Sequence, residues 1–193
     1  MLRPLATAVT SVALSAVSAF AASGEVCHRS GFSQYTDSTS TCVSSVLPPQ
    51  GRNTYGPGNL ASSDDRKGAW CEGVAGPGIG QTITLHQKPN NLIGSMSFVN
   101  GYARTPELYR ANGRIKQARI ETSAGYKKTV DFADSSEHQF IKISPHKVSW
   151  VRLTILAVYP GTRSSDTCAT TFYLNQDDML EDSPDNQEPS KKD

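Results

Sequence analysis

The sequence predicts an all-β sandwich of seven or eight short strands. Three observations carry this. Apolar residues recur at every second position over short windows, which is the period of a half-buried strand. Clusters of Gly, Pro, Asn and Asp separate those windows at short intervals. Start and stop signals for a helix occur together at only one place, around residues 105–113.

Taken in order, residues 22–45 are rich in Ser and Thr and read as an extended lead-in. Residues 81–87 alternate, with Ile83 and Leu85 on one face, and 92–99 form a more buried run. Thr105 fits an N-cap, Pro106 the first helical position and Gly113 a stop, so one helical turn interrupts the strands. Residues 115–122 alternate again with Ala118 and Ile120 inward, Ser123-Ala124-Gly125 is a turn, and 128–132 return as a hairpin arm. Residues 140–143 are a short strand, 148–158 are the longest apolar run and the expected central strand, and 169–174 end the fold. Trp70 and Trp150 fall in strand-like contexts and read as core. No internal repeat is visible.

The N-terminus has the pattern of a secretory signal. Arg3 precedes a small-apolar run over 5–20, and Ala19-Phe20-Ala21 suits cleavage after Ala21. The run is too short and too rich in Ala, Ser and Thr for a membrane anchor. The expected scheme is a signal peptide over 1–21, a disulfide-stapled lead-in over 22–45, a β-sandwich over 46–174 and a disordered acidic tail over 175–193. The expected location is secreted or periplasmic, with no membrane span after signal removal. An overall charge of +1 hides an asymmetry: seven acids against two lysines in 175–193, and a net +5 over 22–174. Export argues against a nucleic-acid partner.

Four cysteines remain, an even count that argues for two disulfides in an oxidising compartment. Three connectivities are open. Cys27–Cys42 would staple the polar lead-in, and Cys71–Cys168 would tie together two loop blocks, 51–80 and 149–168. No Cys-x-x-Cys spacing points to zinc. The loop blocks combine aromatic residues with Gly, Pro, Asn and Asp, and loops of this kind on a rigid scaffold are where binding function sits.

The motifs NTYGPGNL, AW-x-EGV-x-GPGIG, VNGY, ELYR-x-N-x-R-x-K and SWVRLTIL-x-VYPGT occur in that order over roughly residues 44–174. In this the chain resembles the NADase-type glycan-binding domain, named after the translocation domain of a bacterial NAD glycohydrolase toxin. That family lies within the discoidin-like, galactose-binding jelly rolls. The resemblance implies a jelly-roll β-sandwich, no catalysis, and a carbohydrate site at one end.

A sugar offers an apolar CH face and a rim of hydroxyls, so its site needs an aromatic plane beside paired donors and acceptors. The loops supply Tyr55, Tyr102, Tyr109 and Tyr159, with Asn53, Glu72, Asn100, Asn112, Arg114 and Asp166 beside them; Tyr102 and Tyr109 read equally as contacts or as packing, and Glu72 equally as a ligand for hydroxyls or an acceptor for loop amides. Arg114 and Lys116 match the family pattern and share one strand face. Residues 104–128 hold seven bases against two acids, which would suit an acidic glycan. On this reading Tyr102→Ala removes affinity and leaves the fold intact. The resemblance also raises a structural calcium ion, but the Asp-Gly-Asp turn that would hold it is replaced by Ser62-Ser63-Asp64-Asp65. No metal or other cofactor is expected.

Catalysis finds little footing. His28, His86, His138 and His146 lie in no nucleophile or zinc motif. Residues 76–80, GPGIG, lack the lysine of a phosphate loop. Glu72 and Asp166 are the sole candidates for a carboxylate pair. The expected protein is therefore an exported, non-catalytic module that binds carbohydrate through loops at one end of the sandwich. The rival reading is a cell-envelope protein-interaction module that uses the same surface.

Overall fold

The computed structural model describes residues 24–31, 36–61 and 66–175. The expected signal segment, the acidic tail beyond Asn175, and Asp64 and Asp65 lie outside the described residues. No helix among the described residues is long and apolar enough to cross a membrane.

Eight strands are described: β1 (Val26–Ser30), β2 (Ser38–Val43), β3 (Trp70–Cys71), β4 (Thr82–Asn100), β5 (Gly113–Thr122), β6 (Lys127–Asp131), β7 (His138–Tyr159) and β8 (Thr167–Leu174). A six-residue helix, α1 (Pro106–Ala111), sits between β4 and β5, and a 3-10 turn (Pro57–Ala61) follows β2. The fold is an all-β jelly-roll sandwich. β4 and β7 are long because each serves both layers. Residues 82–86 pair with 150–154, and after a register slip residues 91–99 pair with 138–148. The first pairing sits in a layer with β1, β2, β5 and β6, the second in a layer with β8 and β3. At one end β5 and β8 meet in parallel, through Gly113 with Thr167 and Arg114 with Cys168.

The sequence reading split β4 and β7 in two, at Pro89 and Pro145. Proline cannot donate to a ladder and reads as a break. Here Pro89 falls at the slip between His86 and Asn91, where the strands bend between layers, and Pro145 falls at a second slip, opposite the step from Ile93 to Ser95. The buried amide of Gln87 spans the bend, donating from Nε2 to Val148 O at 2.9 Å and to Asn91 O at 3.3 Å. Capping differs in one detail. Thr105 Oγ1 accepts from Leu108 N at 3.2 Å as expected, but the C-cap is Asn112, and Gly113 already belongs to β5.

Between the layers, Ile83, Leu85, Ile120, Val151, Leu153 and Ile155 face Ile93, Met96, Phe98, Ile141 and Phe172. Phe98 packs against Phe132, with ring centroids 4.6 Å apart, and against Phe172 at 5.8 Å. Full burial of each such side chain contributes about 1.5–3 kcal/mol. Trp70 belongs to this core and donates from Nε1 to Ser45 O. Trp150 does not: it is half-buried, with the Arg152 guanidinium 5.4 Å from its ring centroid. The two face outward together because Val151 takes the inward position between them.

The stretch read as a lead-in supplies β1 and β2, and β2 pairs with β4 and buries Val43. Both disulfides, Cys27–Cys42 and Cys71–Cys168, join residues directly opposite one another on neighbouring strands. Around the second lies a smaller core of Tyr55, Ala69 and Tyr102. The closed loops differ in length, with sequence separations of 15 and 97. On the loop-entropy account, replacing Cys71 and Cys168 together by alanine costs about 4–5 kcal/mol and replacing Cys27 and Cys42 costs about 3 kcal/mol. Urea unfolding of the two double variants checks the order, and equal losses would contradict it.

Candidate functional site

The candidate site is built where β4 ends and β5 begins. Asn100 is fully buried at the end of β4. Its Oδ1 accepts from Gly101 N at 3.0 Å and Ile115 N at 2.9 Å, and its Nδ2 donates to Ile115 O at 2.7 Å. Three of its four hydrogen-bonding positions are spent on backbone and the side chain is fully buried, so it braces the site and does not read a ligand. Gly101 follows at φ +67, and a Cβ there would lie 2.6 Å from Arg114 Cγ and 2.8 Å from the Tyr109 ring. A glycine is needed at this point both for the turn and for the close approach.

Arg114 projects from β5 and is 8% exposed. Its Nε and Nη2 bond the two oxygens of Asp134 at 3.0 and 2.7 Å, a bidentate pair. Its Nη1 donates to Asn112 O and to Pro160 O. The guanidinium lies 5.3 Å from the Tyr109 ring centroid and 5.9 Å from that of Tyr159. The exposed Lys116 ammonium is 5.8 Å from the Tyr159 centroid. The phenols are held too: Tyr109 donates to Asp134 at 2.9 Å and Tyr159 to Phe132 O at 3.0 Å. Asn112 Nδ2 donates to Leu108 O, which caps α1 beneath Tyr109. The result is a rigid cluster of two tyrosines, two cations and one carboxylate. A shallow cleft of about 360 Å³, lined by Pro77, Val158, Arg163 and Ser165 among others, lies against the neighbouring 160–165 loop.

The electrostatics follow from the contacts. Hydrogen bonding from Arg114 holds the Asp134 carboxyl below the usual carboxylate range, and the same pairing raises Arg114. Burial, and then the bond to Asp134, push the Tyr109 phenol well up, so it remains a donor at neutral pH. Burial raises Glu72, although bonds from two backbone amides oppose this.

The other expected residues divide. Tyr102 is 4% exposed and Tyr55 6%, and their rings meet edge to face at 6.3 Å over the disulfide. Both pack inside, so neither offers a stacking plane, and the expectation that Tyr102→Ala would spare the fold is overturned. Glu72 is fully buried and accepts from Val74 N at 2.8 Å and Thr167 N at 3.2 Å. It organises the glycine-rich loop from within, and at Gly78 (φ +70) a Cβ would lie 2.5 Å from Glu72 Cγ. That leaves no acid–base pair with Asp166, whose carboxylate is half-buried and accepts from Ser164 Oγ at 2.9 Å. Asn53 is exposed in a tight turn with Gln50. The basic stretch 104–128 is in large part neutralised within the chain: Arg110 pairs with Glu107, Arg119 and Lys127 with Glu121, and Arg114 with Asp134. Glu25, Cys42 and His86 offer ligand atoms close together, but the Cys42 sulfur is consumed in a disulfide and does not bind a metal.

A braced aromatic and cationic cluster thus lies at the loop end of a jelly-roll domain. The chain matches the family described as NAD glycohydrolase translocation F5/8 type C domain over residues 33–175, and it belongs to that family. Its fold is similar to CpGH89CBM32-5 from Clostridium perfringens, solved with GalNAc-beta-1,3-galactose, at TM-score 0.53 and 16% identity, over 70% of this chain and 94% of that one. It is also similar to the family 32 carbohydrate-binding module of C. perfringens NanJ, solved with galactose, at TM-score 0.51 and 14% identity, over 70% and 92%. A third likeness is to the arabinofuranosyltransferase AftD from Mycobacteria, at TM-score 0.55 and 17% identity, over 86% of this chain and 13% of that enzyme. No curated protein matches the chain.

Two stability outcomes follow. Tyr102→Ala lowers stability by about 3 kcal/mol or more, because it opens a cavity beside the disulfide. Denaturant titration checks this. Asp134→Asn leaves the Arg114 guanidinium short of its counter-charge and costs about 2 kcal/mol, a figure held down by the partial exposure of Asp134. Because the folded-state pKa of Asp134 is depressed, the pairing contributes in full above the ordinary carboxylate pKa and is lost as pH falls through the lowered value. Thermal melts of Asp134→Asn should therefore show a shallower fall in stability than the parent below about pH 4.

Proposed function

We propose that this chain is an exported, non-catalytic module that binds carbohydrate at the loop end of the sandwich, through Tyr109, Tyr159, Lys116, Arg114 and Asp134. The observation that carries the reading is the cation–aromatic cluster. Two half-exposed rings are fixed in place by the buried Arg114, with the exposed Lys116 ammonium as donor and the part-exposed Asp134 carboxylate as acceptor beside them, the combination a sugar ring and its hydroxyls need. The likeness to modules solved with galactose and GalNAc-beta-1,3-galactose supports the ligand class. Two disulfides suit an oxidising compartment, secreted or periplasmic. Asn112, which caps α1 beneath Tyr109, and Asp166, whose backbone carbonyl accepts from Gly113 N, border the cluster, and Asn53 stays in its turn with Gln50. Asn100, Glu72, Tyr55 and Tyr102 act as its supports.

The rival reading, an envelope protein as ligand, draws on the glycine-rich loop 73–80. Val74 and Ile79 stand exposed there, beside the same end of the sandwich. The oxidised protein on a glycan array, with and without EDTA, separates the two. The carbohydrate reading expects a selective hit that Lys116→Ala weakens about fivefold while leaving the melting temperature unchanged. A well-folded protein with a blank array would favour the protein ligand. EDTA-sensitive binding would point to calcium at Asp64 and Asp65.

A further inference from the structure

A second patch adjoins the loop end and is built differently. β6 and the first part of β7 are edge strands of opposite layers. A groove of about 520 Å³ runs between them, lined by Lys128, Thr129, Val130, Asp131, Phe140, Ile141 and Lys142. Its size falls within the ~300–1,000 Å³ typical of ligand sites. Its floor is firm, since Ile141 belongs to the core and Val130 packs against it.

Phe140 is the anomaly. It is 67% exposed, more than any other large hydrophobic side chain among the described residues. It sits within a strand at an outward position where alternation calls for a polar residue, as at His138 and Lys142 on either side. The residue opposite it on β4 is the short Ser97, which leaves the ring uncovered on that side. Lys128 and Lys142 stand on opposite walls, and neither has an ion-pair partner among the described residues. This contrasts with Arg114 and Arg119 of β5, which are paired with Asp134 and Glu121.

The groove is joined to the loop end. Gln139, next to Phe140, reaches across to the β6 side: its Oε1 accepts from Ala133 N at 2.8 Å and its Nε2 donates to Ala133 O at 3.1 Å. The next residue, Asp134, holds Arg114 and Tyr109. A ligand leaving the Tyr109–Asp134 cluster along this side therefore meets a fixed bridge, then an exposed ring, then two unpaired ammonium groups. An aromatic plane suits the CH face of a sugar, and paired ammonium groups suit its carboxylates or sulfates.

We infer that the groove between β6 and β7 extends the loop-end site, so that the module takes an extended anionic polysaccharide along its side, several residues long, with Phe140 as a stacking platform and Lys128 and Lys142 as charge contacts. This rests on the carbohydrate reading above and specifies the ligand as a chain, where the loop end alone would take a terminal sugar.

The test is calorimetric titration of the full oxidised chain with oligomers of one to eight units from polygalacturonate, hyaluronan and heparin, and with neutral galactan oligomers as the comparison. The expected result is at least one anionic series whose affinity rises about tenfold or more with length. Phe140→Ala should remove about tenfold for the long oligomers and leave the shortest unchanged. Lys128→Gln with Lys142→Gln should flatten the salt dependence. Phe140 is exposed and both lysines lie at the surface, so these variants keep the fold, and a thermal melt verifies it. Binding that is independent of length and indifferent to Phe140→Ala would overturn the groove and leave the loop-end site standing. No binding to any saccharide would sink both. A concentration-dependent dimer that Phe140→Ala abolishes, with no effect on saccharide, would reassign the groove to pairing between two copies of the chain.

Discussion

The buried amide of Asn100 is the contact on which the recognition end depends. One side chain satisfies the backbone of β5 at Ile115 and the turn at Gly101, at a point where the ladder between β4 and β8 slips. Its position sets where the chain turns into Tyr102 and α1, and where β5 starts. Arg114 is the residue before Ile115, so its starting point is set by the same amide. Placing a polar group there is demanding, because each unmet hydrogen bond in the interior costs about 1–3 kcal/mol. With three bonds met, the amide defines one geometry and penalises its neighbours.

Rigidity of this kind shapes the chemistry on offer. Arg114 lies against the rings of Tyr109 and Tyr159, and Lys116 adds a second cation near the latter. Cations beside a ring draw on its electron-rich face. Those ring faces are therefore already engaged, and the exposed Lys116 ammonium leaves a positive charge at the surface beside them. Little side-chain freedom remains to be lost on binding, because both phenols and the guanidinium are already bonded, which lowers the cost of association.

Much of the fold was legible in the sequence. Alternation located the strand segments, the Ser-Ala-Gly turn located the β5–β6 hairpin, and Thr105 with Pro106 located α1. Continuity across Pro89 was not legible, because local chemistry there signals a break and the long-range bond of Gln87 to Val148 overrides it, and Pro145 sits at a second slip of the same ladder. The site was half legible. Tyr109, Tyr159, Arg114 and Lys116 came from motif and loop context. Asn100, Glu72, Tyr55 and Tyr102 were read as ligand contacts because polar and tyrosine side chains in loops look alike whether they face outward or brace the loop from inside. Asp134 was missed, although a signal existed. Carrying the β5–β6 register three residues past the Gln117–Asp131 pair puts residue 134 opposite Arg114. Phe140 was missed because a phenylalanine in a strand reads as core, and its outward phase shows only against its neighbours on β4 and β6.

The separation of Cys71 and Cys168 has a consequence for how the molecule matures. These two thiols, 97 residues apart, are held opposite one another by the pairing of β3 with β8, the last described strand. Almost the whole sandwich must be threaded before that happens. Oxidation of this pair is thus a record of completed assembly: a chain that carries the bond has already brought its first and last loop blocks together, and a chain that lacks it has no covalent memory of doing so. Cys27 and Cys42 can close on a short hairpin early and report nothing about the rest. The protein carries one latch for its beginning and one seal for its completion.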